Sequence, residues 1–174
     1  MNKKVLSVLV DNTSGVLNRV AGLFSRRGYN IDSLTVGVTQ DPRYSRMTIV
    51  VTGDDDIIEQ IIKQIEKLVD VNKVEVLEDN NSVCRELILT KVKTTPEQRQ
   101  QVMAVADIFR AKIVDVGIDS LIIELTGNQN KLDAFLNLLA DYEILELVRT
   151  GITGLARGSA DQEEQNNKQK LYLW

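Results

Sequence analysis

The sequence predicts an α+β protein made of two ferredoxin-like βαββαβ units in tandem, each an antiparallel sheet with two helices on one face. Three observations carry this. Strand-like and helix-like hydrophobic patterns run in the same order twice. A Thr-Gly pair, Thr52-Gly53 and then Thr126-Gly127, precedes the second helical pattern of each half. Apolar residues make up 43% of 174, with 26% charged, the balance of a folded chain with material for two small cores.

In the first half, Leu6, Val8 and Val10 alternate with Val5, Ser7 and Leu9, so both faces are largely apolar and a central strand is expected. The turn formers Asp11 to Gly15 end it. Val16, Leu17, Val20, Ala21, Leu23 and Phe24 recur at helical spacing, with Arg19, Arg26 and Arg27 on the other side, Ser14 placed to cap the start and Gly28 to end the helix. Runs at 31–39 and 46–52 flank Asp41 and Pro42 and read as a hairpin. After Gly53, Asp54, Asp55 and Asp56 open an amphipathic helix whose apolar side is Ile57, Ile58, Ile61, Ile62, Ile65, Leu68 and Val69. Three carboxylates together raise a metal site, but at a helix start they are favoured by capping and the dipole alone. Residues 71–77 close the unit as a strand.

The second half follows suit. Residues 87–92 alternate as a strand; Thr95, Pro96, Glu97 and Gln98 form a capping box with proline at the first helical position; Val102, Val105, Ala106 and Phe109 make the helix's stripe. Strands at 112–116 and 121–125, a helix presenting Leu132, Phe135, Leu136 and Leu139, and a strand at 144–149 complete it. The expected division is residues 1–79, residues 80–157, and a polar tail from 158 to 174 that ends in Leu171, Tyr172, Leu173 and Trp174, either a docking plug or only a chain end. A unit of this size buries about 60% of its unfolded surface, and the layout leaves one sheet face and an edge uncovered. Each unit therefore leans on something: the other unit, a second copy, or a larger protein.

Composition excludes several kinds of function. With 21 Lys and Arg against 25 Asp and Glu, the net charge of −4 offers no broad positive field, so no nucleic-acid partner is expected. There is no histidine, which removes the usual metal ligand, the usual neutral-pH base and every Ser-His or Cys-His pair. Cys84 is the single cysteine and reads as a small packed residue in a reducing compartment. The N-terminal apolar run is too short for a signal peptide or membrane span, so a cytoplasmic chain that does not enter a membrane is expected.

One segment looks like a site. Asp11-Asn12-Thr13-Ser14-Gly15-Val16-Leu17 joins a buried strand to a helix start, where main-chain N–H groups lack helical partners and favour a carboxylate. Gly15 permits close approach, and Asn12 offers donors and an acceptor. From the residues alone, Asn12, Ser14 and Gly15 serve equally well as turn and cap residues. The matching position of the second half is KTTPEQ, where Pro96 removes an N–H, so such a site is expected once per chain.

The stretch VLVDNTSGVLNRVAGLFSRRGYNIDSLTVG, with SRMTI, IEKLVDVNKVEVL, VCRELILTKV, IFRAKIVDV, KLDAFL and RTGITGLARG, resembles the small regulatory subunit of acetohydroxyacid (acetolactate) synthase from about residue 4 to 158, and its first half resembles an ACT domain. The resemblance implies a non-catalytic regulatory subunit that activates a catalytic large subunit and confers feedback inhibition by valine in branched-chain amino-acid biosynthesis. Thiamine diphosphate, magnesium and FAD would be carried by the large subunit and no cofactor by this chain. It implies a homodimer through the ACT domain. Asn12 and Gly15 with the Val16 amide would hold the effector's amino and carboxylate groups, Leu17 would line the pocket, and Asn30 and Ile31 would reach in from the other copy. Two other readings remain in view: a free-standing ACT-type amino-acid-binding module serving another enzyme or a transcription factor, and an enzyme whose candidates would be carboxylates, lysines and Cys84.

Overall fold

The computed structural model describes residues 2–158. The first unit runs β1 (Asn2–Asp11), α1 (Val16–Arg27), β2 (Ser33–Val38), β3 (Tyr44–Gly53), α2 (Asp55–Glu66) and β4 (Val71–Leu77). After a single 3₁₀ turn at Asp79–Asn81 come β5 (Ser82–Lys93), α3 (Pro96–Ile108), β6 (Lys112–Val116), β7 (Ser120–Gly127), α4 (Gln129–Leu138), β8 (Ile144–Arg149) and β9 (Thr153–Ala156). The expected tail begins at the last described residue, and residues 159–174 lie outside the described range.

The first sheet has the order β2-β3-β1-β4 and the second β6-β7-β5-β8, every neighbour antiparallel, so the two units share one ferredoxin-like topology. Strand parity decides which side chains meet the helices. In the first unit Leu6, Val8, Val10, Met47, Ile49 and Val51 pack against Val16, Val20, Leu23 and Phe24 of α1 and Ile58, Ile61 and Ile65 of α2. In the second, Ile88, Val92, Leu121, Ile123 and Leu125 meet Val102 and Ala106 of α3 and Leu132 and Phe135 of α4, and Phe135 stacks edge-on against Phe109 at 5.5 Å. Val69, expected on the apolar side of the second helix, is 92% exposed. The helix ends at Glu66 and Leu68 N–H turns back to Ile65 O, so Val69 falls outside the helical period.

Two strands differ from the sequence expectation. β5 begins at Ser82 rather than near residue 87, because buried Ser82 and Glu86 interrupt the apolar alternation that marks a strand. β9 was not expected, being four residues long with Gly154 inside it. It pairs antiparallel with Ser82–Arg85 and lies on the face of the first sheet opposite the helices. There Gly154 N–H meets Thr48 Oγ1 at 3.4 Å, Thr35 Oγ1 meets Ile152 O at 3.2 Å, and Ile152 N–H meets Ser33 Oγ at 3.4 Å. The open face of the first sheet is therefore partly covered by the second unit. Cys84 is half-buried beside this contact. No helix among the described residues is long and apolar enough to cross a membrane.

Candidate functional site

The loop after β1 is held from both sides. Asp11 N–H donates to Asp70 O at 2.9 Å and Asn12 N–H to Arg43 O at 2.7 Å. The Asn12 side chain donates from Nδ2 to Pro42 O at 2.9 Å and accepts at Oδ1 from Ser45 Oγ at 3.2 Å. Asn12 thus fastens the loop to the β2–β3 turn and retains one N–H and one lone pair for a further partner. The helix cap is Gly15, with φ 85° and ψ −9°, in place of the expected Ser14. The chain enters the helix through a left-handed residue, a conformation glycine adopts without the steric cost a Cβ brings.

The first helical bond runs from Arg19 N–H to Gly15 O at 2.9 Å, so the amides of Val16, Leu17 and Asn18 stand at the open, positive end of α1. No acidic side chain lies in this first turn. Arg19 instead folds back over the loop: its Nη1 lies 3.1 Å from where a Cβ on Gly15 would sit, and its Nε donates to Asp70 Oδ2 at 2.6 Å. A guanidinium near a helix start is unfavourable by itself, and Asp70 holds it there. Arg19 and Asp70 were not singled out from the sequence. The signal available was an arginine at the end of a helical first turn that has no acid.

The Val16 side chain is buried in the first core, leaving only its amide to face the loop, whereas Leu17 is 46% exposed beside it. Ile31 is half-buried against the first core, and Asn30 is exposed, with Nδ2 3.4 Å from Asp32 Oδ1. Within one chain these residues lie far from the loop. Ser33 pairs with Val50, which pairs with Val5, while Val38 pairs with Ser45, which pairs with Val10. Asn30 and Ile31 therefore enter the sheet at the Ser33 end and Asn12 leaves it at the Val38 end, the two ends being about 17 Å apart along the strands. β2 is an edge strand, with Val36 and Val38 46% and 60% exposed. An antiparallel β2 from a second copy would bring its own Asn30 and Ile31 to the Asn12 end.

The second unit's corresponding helix start is closed upon itself: Thr95 Oγ1 accepts from Gln98 N–H at 3.3 Å, and Gln98 Oε1 accepts from Thr95 N–H at 3.0 Å. At α2 the cap is Asp54, and Asp55 Oδ1 accepts from Asn2 Nδ2 at 3.0 Å. No cluster of three or more Cys, Asp or Glu suited to hold a metal ion occurs among the described residues. Two open clefts of about 570 and 460 Å³ lie between the units, both bordered by Lys3, Glu86, Gln129 and Ile152 and neither by the loop.

Residues 6–73, the first βαββαβ unit with its open strand–helix loop, match the family AHAS small subunit-like ACT domain, so this unit is an ACT domain. A second, Small subunit of acetolactate synthase, matches residues 85–158. The chain is 52% identical over 157 residues to a probable acetolactate synthase small subunit of Archaeoglobus fulgidus, covering 90% of this chain and 98% of that one. It is 48% identical to the acetolactate synthase isozyme 3 small subunit of Salmonella typhimurium, covering 90% and 96%. The crystal structure of the Thermotoga maritima acetolactate synthase small subunit superposes with a TM-score of 0.84 at 44% identity, covering 92% of this chain and all of that one. The chain belongs to the acetolactate synthase small-subunit family.

Proposed function

We propose that this chain is the regulatory subunit of acetolactate synthase, activating a catalytic large subunit and carrying feedback inhibition by valine. The observation that supports it best is the loop after β1. Left-handed Gly15 leaves the α1 amides open, Asn12 is fixed with hydrogen-bonding capacity to spare, and Arg19 adds a cation. Such a cradle suits an α-carboxylate and an α-ammonium together. Leu17 supplies an apolar wall, and Asn30 and Ile31 of a second copy complete the pocket through a β2–β2 seam. The chemistry of thiamine diphosphate, magnesium and FAD then belongs to the large subunit, and this chain contributes binding and allostery without a catalytic site, as a cytoplasmic protein.

An effector at such a seam changes the assembly only through its preference for one arrangement, typically a coupling of about 1 to 3 kcal/mol. The test is reconstitution. The purified chain is added to the catalytic subunit with and without valine, and binding of valine, leucine and isoleucine is measured by calorimetry. Activation followed by valine-dependent inhibition is expected. Failure to bind any branched-chain amino acid would remove the sensing role, and failure to associate with the catalytic subunit would favour a free-standing amino-acid-binding module.

A further inference from the structure

Resting on the sensing role just described, we infer that the segment from Gly151 to Ala156 is a coupling strap that carries the effector state of the first sheet into the second unit. The segment is anchored at both ends. Toward the first unit it meets Ser33 and Thr35 of β2 and Thr48 of β3 through the three hydrogen bonds at Ile152 and Gly154. Toward the second it pairs with Ser82–Arg85, the leading third of β5, whose remainder is the strand between β7 and β8 at the centre of the second sheet. One continuous strand thus runs from the strap into the second core.

The contact leaves no slack. Gly151, at φ 85°, lies so close to β2 that a Cβ would sit 3.0 Å from Ser33 Cβ. A Cβ on Gly154 would sit 2.7 Å from Cys84 Sγ and 2.8 Å from Leu77 Cδ1. Close-packed contacts of this kind shift together or rearrange, and do not stretch. The strand gripped by Gly151 and Ile152 is also the one best placed to respond. Among the described residues β2 pairs with a strand on one side only; it begins two residues after Ile31 and presents the edge proposed to meet a second copy. An effector that resets β2 against its twin would move Ser33 and Thr35, and with them the strap and the start of β5. This is a physical two-ended connection of the kind a coupling claim requires.

The experiment uses the reconstituted holoenzyme with Thr35→Val and Ser33→Ala/Thr35→Val. These remove hydrogen bonds to Ile152 while nearly conserving volume and leaving every proposed effector contact untouched. Activation is expected to persist and valine binding, by calorimetry, to stay within about twofold, while the extent of inhibition at saturating valine falls by about half or more. Hydrogen exchange on the wild-type complex should show valine changing protection of the amides at 152–156 and 82–85. Variants that bind valine and are inhibited as wild type is, with strap protection indifferent to valine, would overturn the inference. A wild-type protein that binds no valine would instead sink the sensing role, and the strap with it. Should the double variant melt at lower temperature, Thr35→Val alone and the wild-type exchange pattern still decide.

Discussion

The Arg19 guanidinium and the Asp70 carboxylate meet at 2.6 Å, Nε to Oδ2, tying the first turn of α1 to the segment that links α2 and β4. Asp70 also receives Asp11 N–H through its main-chain oxygen, so one residue fixes both the loop's entry and the cation above it. Arg19→Gln should weaken valine binding by about tenfold, the scale of a charge-assisted hydrogen bond at a partly open site. Thermal stability should fall by about 1 to 2 kcal/mol, because the arginine is half-exposed whereas Asp70, 15% exposed, loses its partner. Calorimetry with valine and with valinamide separates the outcomes. If Arg19 holds the carboxylate, the loss appears with valine and vanishes with the amide; an equal loss for both ligands would assign Arg19 a purely structural role.

Gly15→Asp should abolish valine inhibition while activation of the catalytic subunit largely survives. The variant sets a carboxylate where the ligand's would sit and places a Cβ at φ 85°, 3.1 Å from Arg19 Nη1, a strain of about 1 to 3 kcal/mol. Gly15→Ala carries the strain without the charge and should retain part of the response. Asn30→Ala should raise the half-inhibition concentration more mildly than Gly15→Asp, since it removes hydrogen bonds without adding repulsion. A fully valine-sensitive Gly15→Asp holoenzyme would place the site elsewhere.

The architecture was legible in the sequence because each core face follows a simple period: Leu6, Val8 and Val10 alternate, and Ile58, Ile61 and Ile65 recur at helical spacing. What the period could not show is contact between units. Ser82 and Glu86 are buried by tertiary packing and a long-range ion pair, so β5 reads as polar where it meets the strap, and β9 is too short and too small in its side chains to give a pattern. At the site, Asn12 and Gly15 were legible as turn chemistry, whereas the grip of Asp70 on Arg19 joins residues 51 positions apart, a separation that no local pattern reports.

Gly154→Ala should destabilise the protein by about 1 to 3 kcal/mol, the cost of overpacking a tight contact, because the new methyl falls 2.7 Å from Cys84 Sγ and 2.8 Å from Leu77 Cδ1. Adding Cys84→Ala removes the nearer obstacle and should restore part of the loss. Thermal or urea melts of the two single variants and the double give the coupling directly. Strictly additive losses would mean that Cys84 is not what confines Gly154.

At the β2–β3 turn, side-chain hydrogen bonds from Arg43, helped by Arg43 N–H, hold the Asp41 carboxyl at about 2, below its ordinary 3.8. A depressed folded-state value means that this contribution is complete above the unfolded value and fades as the pH falls from 3.8 toward 2. An NMR titration should give Asp41 a midpoint near 2 in the native protein, and Arg43→Ala should move it up toward 3.8. A native midpoint already near 3.8 would show that the pair does not persist in solution.

Glu86 and Arg149 form a two-pronged pair, Nε to Oε1 at 2.9 Å and Nη2 to Oε2 at 2.8 Å, with the Glu86 side chain only 6% exposed. The partnership permits a carboxylate to sit at the point where β5 passes from β9 to β7 and β8. Arg149→Met should therefore cost about 3 to 5 kcal/mol near neutral pH, because the carboxylate stays buried without its partner. Glu86→Gln/Arg149→Met, which removes the charge as well as its partner, should recover most of that stability. Urea melts of the two variants near neutral pH test both statements. A deficit in Arg149→Met that is unrelieved by Glu86→Gln would mean that Arg149 acts through packing at the end of β8 rather than through the charge it meets there.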